Sequence, residues 1–178
     1  MIVGVAHSIE LLLDDKADAA VRLRWRSLDA LGIRTPGATD SPTVRPHLTL
    51  LAGTGVRGAD SGLAALAQRL PFPVTLGAPV LLPAGSHWTL ALGVVPSTEL
   101  LSVHATAFRL CGDAVTGLDD HGVPGSWTPH VTLARRVDGD GVSAAVAVLG
   151  GPIHGRAVAV RRWDGDAKSE QVVSGREC

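Results

Sequence analysis

The sequence predicts an α+β fold made of two like halves related by a pseudo-twofold axis. Pro46-His47-Leu48-Thr49-Leu50 recurs as Pro129-His130-Val131-Thr132-Leu133, an offset of 83. At that offset the helical pattern over 15–31 falls on a second one over 98–114, and the apolar segment 9–13 falls on 92–96. After each motif the order loop, short helix, strand repeats, with an offset near 80 because the second loop is shorter. The halves run approximately over 8–82 and 91–165 with no disordered joint, so 1–178 reads as one two-lobed domain.

Each element has a local reason. Ile9 to Leu13 is a short apolar strand. Asp14 or Asp15 caps the helix after it, with Asp18 near its positive end. Ala17, Val21, Trp25, Leu28 and Leu31 recur at helical spacing, Arg22 and Arg26 lie on the other side, and Gly32 ends the run. Residues 33–46 form a Gly/Pro/Ser/Thr loop before a strand from His47 to Leu51. A short helix, Leu63 to Leu70, precedes an extended segment from Phe72 to Leu82 that Gly77 and Pro79 interrupt. Trp88 to Val95 reads as a buried strand. Pro96-Ser97-Thr98 then opens a helix with Leu100, Leu101, His104, Ala107, Phe108 and Cys111 on its apolar side, closed by Gly112. After a polar loop over 113–128 come a strand from His130 to Ala134, a helix near Val142 to Leu149 and a strand from Arg156 to Trp163. Asp164-Gly165-Asp166 turns the chain into a last strand near Gln171 to Val173.

Composition excludes whole classes of function. The chain has 178 residues, 46% hydrophobic and 19% charged, which is a packed domain and not a disordered one. A net charge of -1 argues against a charge-driven nucleic-acid coat and leaves room for a local anion site. The 14 Arg against 2 Lys, with abundant Ala and Gly, reflect base-composition drift rather than a partner. With no Tyr among the six aromatics, a tyrosine general acid is excluded. Cys111 and Cys178 are too far apart in sequence to suggest a disulfide scaffold or a cysteine-based zinc site. Met1 to His7 lacks a basic n-region, and no window approaches 18 apolar residues, so a cytoplasmic protein with no membrane partner is expected.

On a strand, residues i and i+2 share a face. His47 and Thr49 therefore look one way while Leu48 and Leu50 look to the core, and His130 and Thr132 repeat this against Val131 and Leu133. A pseudo-twofold axis brings two imidazoles and two hydroxyls to one cleft. That set suits in-line displacement at phosphorus. One imidazole takes a proton from the attacking water, and the other protonates the leaving oxygen. The threonines donate to the non-bridging oxygens. The scheme needs no metal and no cofactor. One HxT in a strand is noise, but two five-residue matches at an offset that also aligns helices are not. A His-based zinc site wants three or four ligands, and a third from His7, His87, His121 or His154 has no supporting spacing.

The paired PHLTL and PHVTL, with IELLLDDKADAAV at the start, resemble the 2H phosphoesterase superfamily, in particular the bacterial 2'-5' RNA ligase (LigT-like) family. The likeness spans most of the chain. It implies a bilobal fold whose two antiparallel sheets line a central cleft with helices outside. It also implies metal-independent 2',3'-cyclic phosphodiesterase chemistry on RNA ends or nucleotides. His47, Thr49, His130 and Thr132 match the family's four catalytic positions.

Weaker candidates for substrate binding surround these. Arg45, two residues before His47, either meets phosphate or is solvated. Arg136 keeps the parity of His130 and Thr132. Trp127 either stacks a base or braces the strand, and bracing is the commoner use of Trp. His104 reads as a satisfied core histidine and Cys111 as buried and inert. The expected partner is a nucleotide or RNA terminus bearing a cyclic phosphate, bound by a monomer. Water attack gives hydrolysis, and attack by a ribose hydroxyl gives 2'-5' ligation. The alternatives are a nucleotide or RNA-end binding module without turnover and a metal-dependent hydrolase.

Overall fold

A computed structural model describes residues 7–176. The Met1–Ala6 stretch and Cys178, both read above, lie outside the described residues.

The chain order is β1 (His7–Leu13), α1 (Asp15–Asp29), β2 (His47–Gly53), β3 (Gly55–Val56), α2 (Asp60–Ala67), β4 (Phe72–Ala84), β5 (His87–Val94), α3 (Thr98–Cys111), β6 (Val115–Thr116), β7 (His130–Val137), α4 (Gly139–Val146), β8 (Ile153–Asp164) and β9 (Ser169–Ser174). Seven strands form one antiparallel sheet in the order β2-β1-β8-β4-β5-β7, with β9 beside β8, and β3 pairs β6 in a small ribbon. The two antiparallel sheets expected from the sequence are its two wings, β2-β1-β8 and β7-β5-β4. They join where Phe72–Leu76 of β4 pairs with Ile153–Ala157 of β8.

Each wing takes strands from both halves of the chain. β1 pairs with β8, from the far end of the sequence, and β4 pairs with the adjoining β5. β2 and β7 stand at opposite ends of the strand order yet come into contact, so the sheet curls until its outer strands meet. Those two strands carry the two motifs.

Helices α1 and α3 bury their apolar stripes through Ala17, Val21, Trp25 and Leu28, and through Leu100, Val103, Ala107 and Cys111. The Asp14 carboxylate accepts from the Ala17 amide at 2.9 Å, and the Ser97 hydroxyl accepts from the Leu100 amide at 3.2 Å, so each helix starts at a side-chain cap. At Gly62 the approach of α2 to α3 is so close that a β-carbon would collide with Cys111 Sγ.

Several local expectations are corrected. α1 ends at Asp29, and the left-handed Gly32 (φ 77°) lets the Ile33 amide bond back to the Leu28 carbonyl at 3.0 Å, which leaves Leu31 exposed. Leu101 is exposed too, one position round the helix from the buried Leu100. α2 and α4 each begin three residues before the apolar run that suggested them; at α4 the Asp138 cap, accepting from Gly141 at 2.8 Å, sets the start. β4 does not break at Gly77 and Pro79. Its register shifts between Leu76 and Pro79, where its partner changes from β8 to β5. Trp88 and Val95, at the ends of the segment read as a buried strand, are exposed.

Candidate active site

The two motif strands share one irregularity. In β2, Ile9 faces Leu51 and Glu10 faces Thr49, so Leu50 is skipped. In β7, Leu90 faces Ala134 and Ala91 faces Thr132, so Leu133 is skipped. Each bulge inverts the alternation. Leu50 and Leu51 both enter the core, as do Leu133 and Ala134. Ala52 and Arg135 then turn back toward the side of the histidines and line one cavity.

That cavity has a volume of about 420 Å³ and opens beside β2. His47, Thr49, Arg45, Glu10, Arg161 and Arg135 contribute to its wall, with Trp163, Val44 and Pro36 on its apolar side. His130 and Thr132 are not in this wall. They stand half-buried on β7, and the His47 charge still reaches the His130 ring.

Both histidines are held in the same way. His47 Nδ1 lies 2.7 Å from the Arg45 carbonyl, and His130 Nδ1 lies 2.7 Å from the Thr128 carbonyl. A carbonyl only accepts, so each Nδ1 carries a hydrogen and Nε2 is the atom left to exchange a proton. Burial pushes the His130 ring below the ordinary histidine range; the Thr128 carbonyl opposes this, and the charges of His47 and Arg135 add to it.

The floor of the cavity is charged. Ser8 Oγ donates to Glu10 Oε1 at 2.5 Å, while Arg161 Nε and Nη2 donate to Glu10 Oε2 at 2.8 and 2.5 Å. Arg161 Nη1 donates to Glu170 at 2.7 Å and to the Thr43 carbonyl at 2.8 Å. Burial alone raises the Glu10 carboxyl, but the charges of His47 and Arg161 and the bonds from Ser8 and Arg161 outweigh it and hold it below the usual range.

Of the weaker candidates, Arg45 lines the cavity and lies 3.7 Å from Glu170. Arg136 departs from the parity expected of it. It is exposed, with left-handed backbone (φ 57°), at a second register shift between Ala134 and Val137; Arg135, which follows the bulge at Leu133, lines the cavity. Trp127 is placed as a brace. Its ring stacks on His104 at 3.8 Å, and its Nε1 donates to the Thr49 carbonyl at 3.0 Å. His104 is buried and bonds the Gly122 carbonyl at 3.0 Å, and burial raises the Cys111 thiol, as a core role requires. Among the other histidines, His7 stands with Asp164 and Asp166 at a second cavity, His121 with Asp119 and His154 with Thr75.

Sequence reasoning missed Glu10, Ser8, Arg161, Glu170 and Arg135. A signal existed for two of them: Glu10 interrupts a run of apolar strand residues and Arg161 directly follows one, places where a charge persists only if paired.

The model of the 2'-5' RNA ligase superfamily matches residues 14–167, and the chain belongs to that family. Solved structures share the fold. LigT from E. coli in apo form has a TM-score of 0.58 at 16% identity, over 96% of this chain and 94% of that one. A structure described as a phosphoesterase gives 0.53 at 17% identity, over 97% and 96%. E. coli LigT complexed with 3'-AMP gives 0.52 at 13% identity, over 96% and 94%. No curated protein matches the sequence.

Proposed function

We propose that this protein opens 2',3'-cyclic phosphates of nucleotides or RNA ends by water attack, with His47 and His130 as general acid and base and no metal. The carrying observation is that both motif histidines are anchored through Nδ1 to the carbonyl two residues earlier, which commits the two Nε2 atoms to proton exchange. One Nε2 accepts the water proton as its oxygen bonds phosphorus, and the other protonates the departing ribose oxygen. Thr49 and Thr132 donate to the non-bridging oxygens, and Arg135 and Arg45 supply positive charge beside them. Family membership and the nucleotide named for the LigT complex support a phosphate-bearing nucleotide or RNA terminus as ligand. A net charge of -1 favours a short ligand read at its end. In this reading the chain works as a cytoplasmic monomer, its two halves derive from a duplication, and 2'-5' ligation is the same chemistry with a ribose hydroxyl in place of water.

The test is a panel of 2',3'-cyclic nucleotides, 3',5'-cyclic nucleotides, ADP-ribose 1'',2''-cyclic phosphate and 2'-5' oligonucleotides, each with and without EDTA. The 2',3'-cyclic substrates should be opened equally in both conditions. Binding without product would favour the non-catalytic module, and loss of rate in EDTA would favour a metal hydroxide.

A further inference from the structure

The two wings place like strands at like positions but line the cleft with unlike residues. Opposite Thr49 stands Glu10, whereas opposite Thr132 stands Ala91. Beside Glu10 the next strand supplies Arg161, whereas beside Ala91 it supplies Val80. A buried charge network therefore underlies the first motif and a small apolar floor the second.

Glu10 is placed to act on His47. Arg161 occupies Oε2 only, and Oε1 faces Ser8 and His47 Nε2, which it approaches at 3.6 Å. That separation exceeds a hydrogen bond, so the carboxylate favours the charged ring without capturing the proton Nε2 would deliver. The Glu10 and Arg161 side chains are each only 3% exposed, so their field is little screened. The other charges around His47 are Arg161 from β8, with Nη2 3.5 Å from Nδ1; Glu170 from β9, bonded to Arg161; Arg45 at the rim; and His130 and Arg135 from β7. Arg161 opposes a charged His47, but it is shared between two carboxylates. Arg45 lies 3.7 Å from Glu170, so the two carboxylates and two guanidiniums balance, and Glu10 is the carboxylate that approaches Nε2 itself.

We propose that Glu10 is a positioning residue that makes the two histidines unlike, setting His47 as the acid that protonates the leaving ribose oxygen and His130 as the base that accepts the water proton. This rests on the phosphoesterase reading above. Burial, with Arg135 nearby, favours the neutral ring at His130, as a base requires.

Glu10→Gln tests it through the pH–rate profile on a 2',3'-cyclic nucleotide. The alkaline limb, where the acid loses its proton, should move to lower pH while the acid limb stays. Movement of the acid limb instead would make His47 the base, and an unmoved profile would make Glu10 merely structural; either overturns the proposal. The unaltered chain gives a second reading that needs no variant to fold. In an NMR titration of the imidazole Cε1–H signals, assigned by loss of each in His47→Gln and His130→Gln, His47 should take up its proton before His130 as pH falls. The reverse order refutes the assignment. If the order holds but no cyclic phosphate is opened, the phosphoesterase reading fails and the electrostatic asymmetry stands.

Discussion

The indole of Trp127 donates to the main-chain carbonyl of Thr49 at 3.0 Å, and the indole of Trp25 donates to that of Thr132 at 3.2 Å. Each bond therefore ties one motif threonine to an indole from outside its own strand. Both bonds fall just before the skipped leucine, where a bulge disturbs the ladder and a carbonyl needs another partner. Trp127→Phe keeps the stack on His104 but removes the donor. It should cost about 0.5–1.5 kcal/mol in chemical denaturation. Turnover should also fall severalfold at a temperature where the chain stays folded, because misplacing a reacting group by about 1 Å costs up to roughly a hundredfold. Unchanged turnover would mean the bond holds the fold and not the site.

Arg135 and Arg136 are neighbours with opposite expectations. Arg135→Ala removes a cavity-lining guanidinium and should lower kcat/KM about ten- to a hundredfold, the scale of one charge-assisted hydrogen bond. Arg136→Gly relieves a left-handed backbone at an exposed site. It should leave kcat/KM within about twofold and leave stability unchanged or raised by up to about 1 kcal/mol. Steady-state kinetics on both variants would show at once if the parity inversion were mislocated.

For the threonines, Thr49→Val and Thr132→Val keep shape and strand preference but lose the hydroxyl. Each should reduce kcat about ten- to a hundredfold with little change in the thermal midpoint. Full activity in both would reduce them to strand formers.

Stability should fall in mild acid. Burial lowers the folded His104 ring below its ordinary 6.5, against the bonds to Gly122 and Leu50 that raise it. Between that lowered value and 6.5 the unfolded chain holds more protons, so unfolding free energy declines as pH drops below 6.5 and levels off under the folded value. His130 shifts in the same direction. Denaturant midpoints measured from about pH 8 to about pH 5 should show the decline, and His104→Gln should flatten it in part. A pH-independent midpoint in the unaltered chain would contradict this.

Much of the architecture was legible because its signals are local. Capping residues placed α1 and α3, and the PHxTL pair placed β2 and β7 with the faces of their first four residues. What stayed hidden depends on strand pairing. The bulges after Thr49 and Thr132 leave no mark in the residue types, so parity carried the reading to Arg136 instead of Arg135. Glu10, Arg161 and Glu170 meet only because β8 lies between β1 and β9, a pairing across the length of the chain. Trp127 could be read either way until its neighbour His104 was known.

In the proposed reaction His47 and His130 share one proton-transfer step. The most direct measurement is the turnover of a 2',3'-cyclic nucleotide by the unaltered chain, His47→Ala, His130→Ala and the double variant, all in EDTA. Each single variant should lose at least about a hundredfold, the usual lower range for general acid–base catalysis. The double variant should be little worse than the worse single one, since residues acting as a unit are not additive. Single variants that keep near-full activity, or losses that multiply in the double variant, would contradict the account.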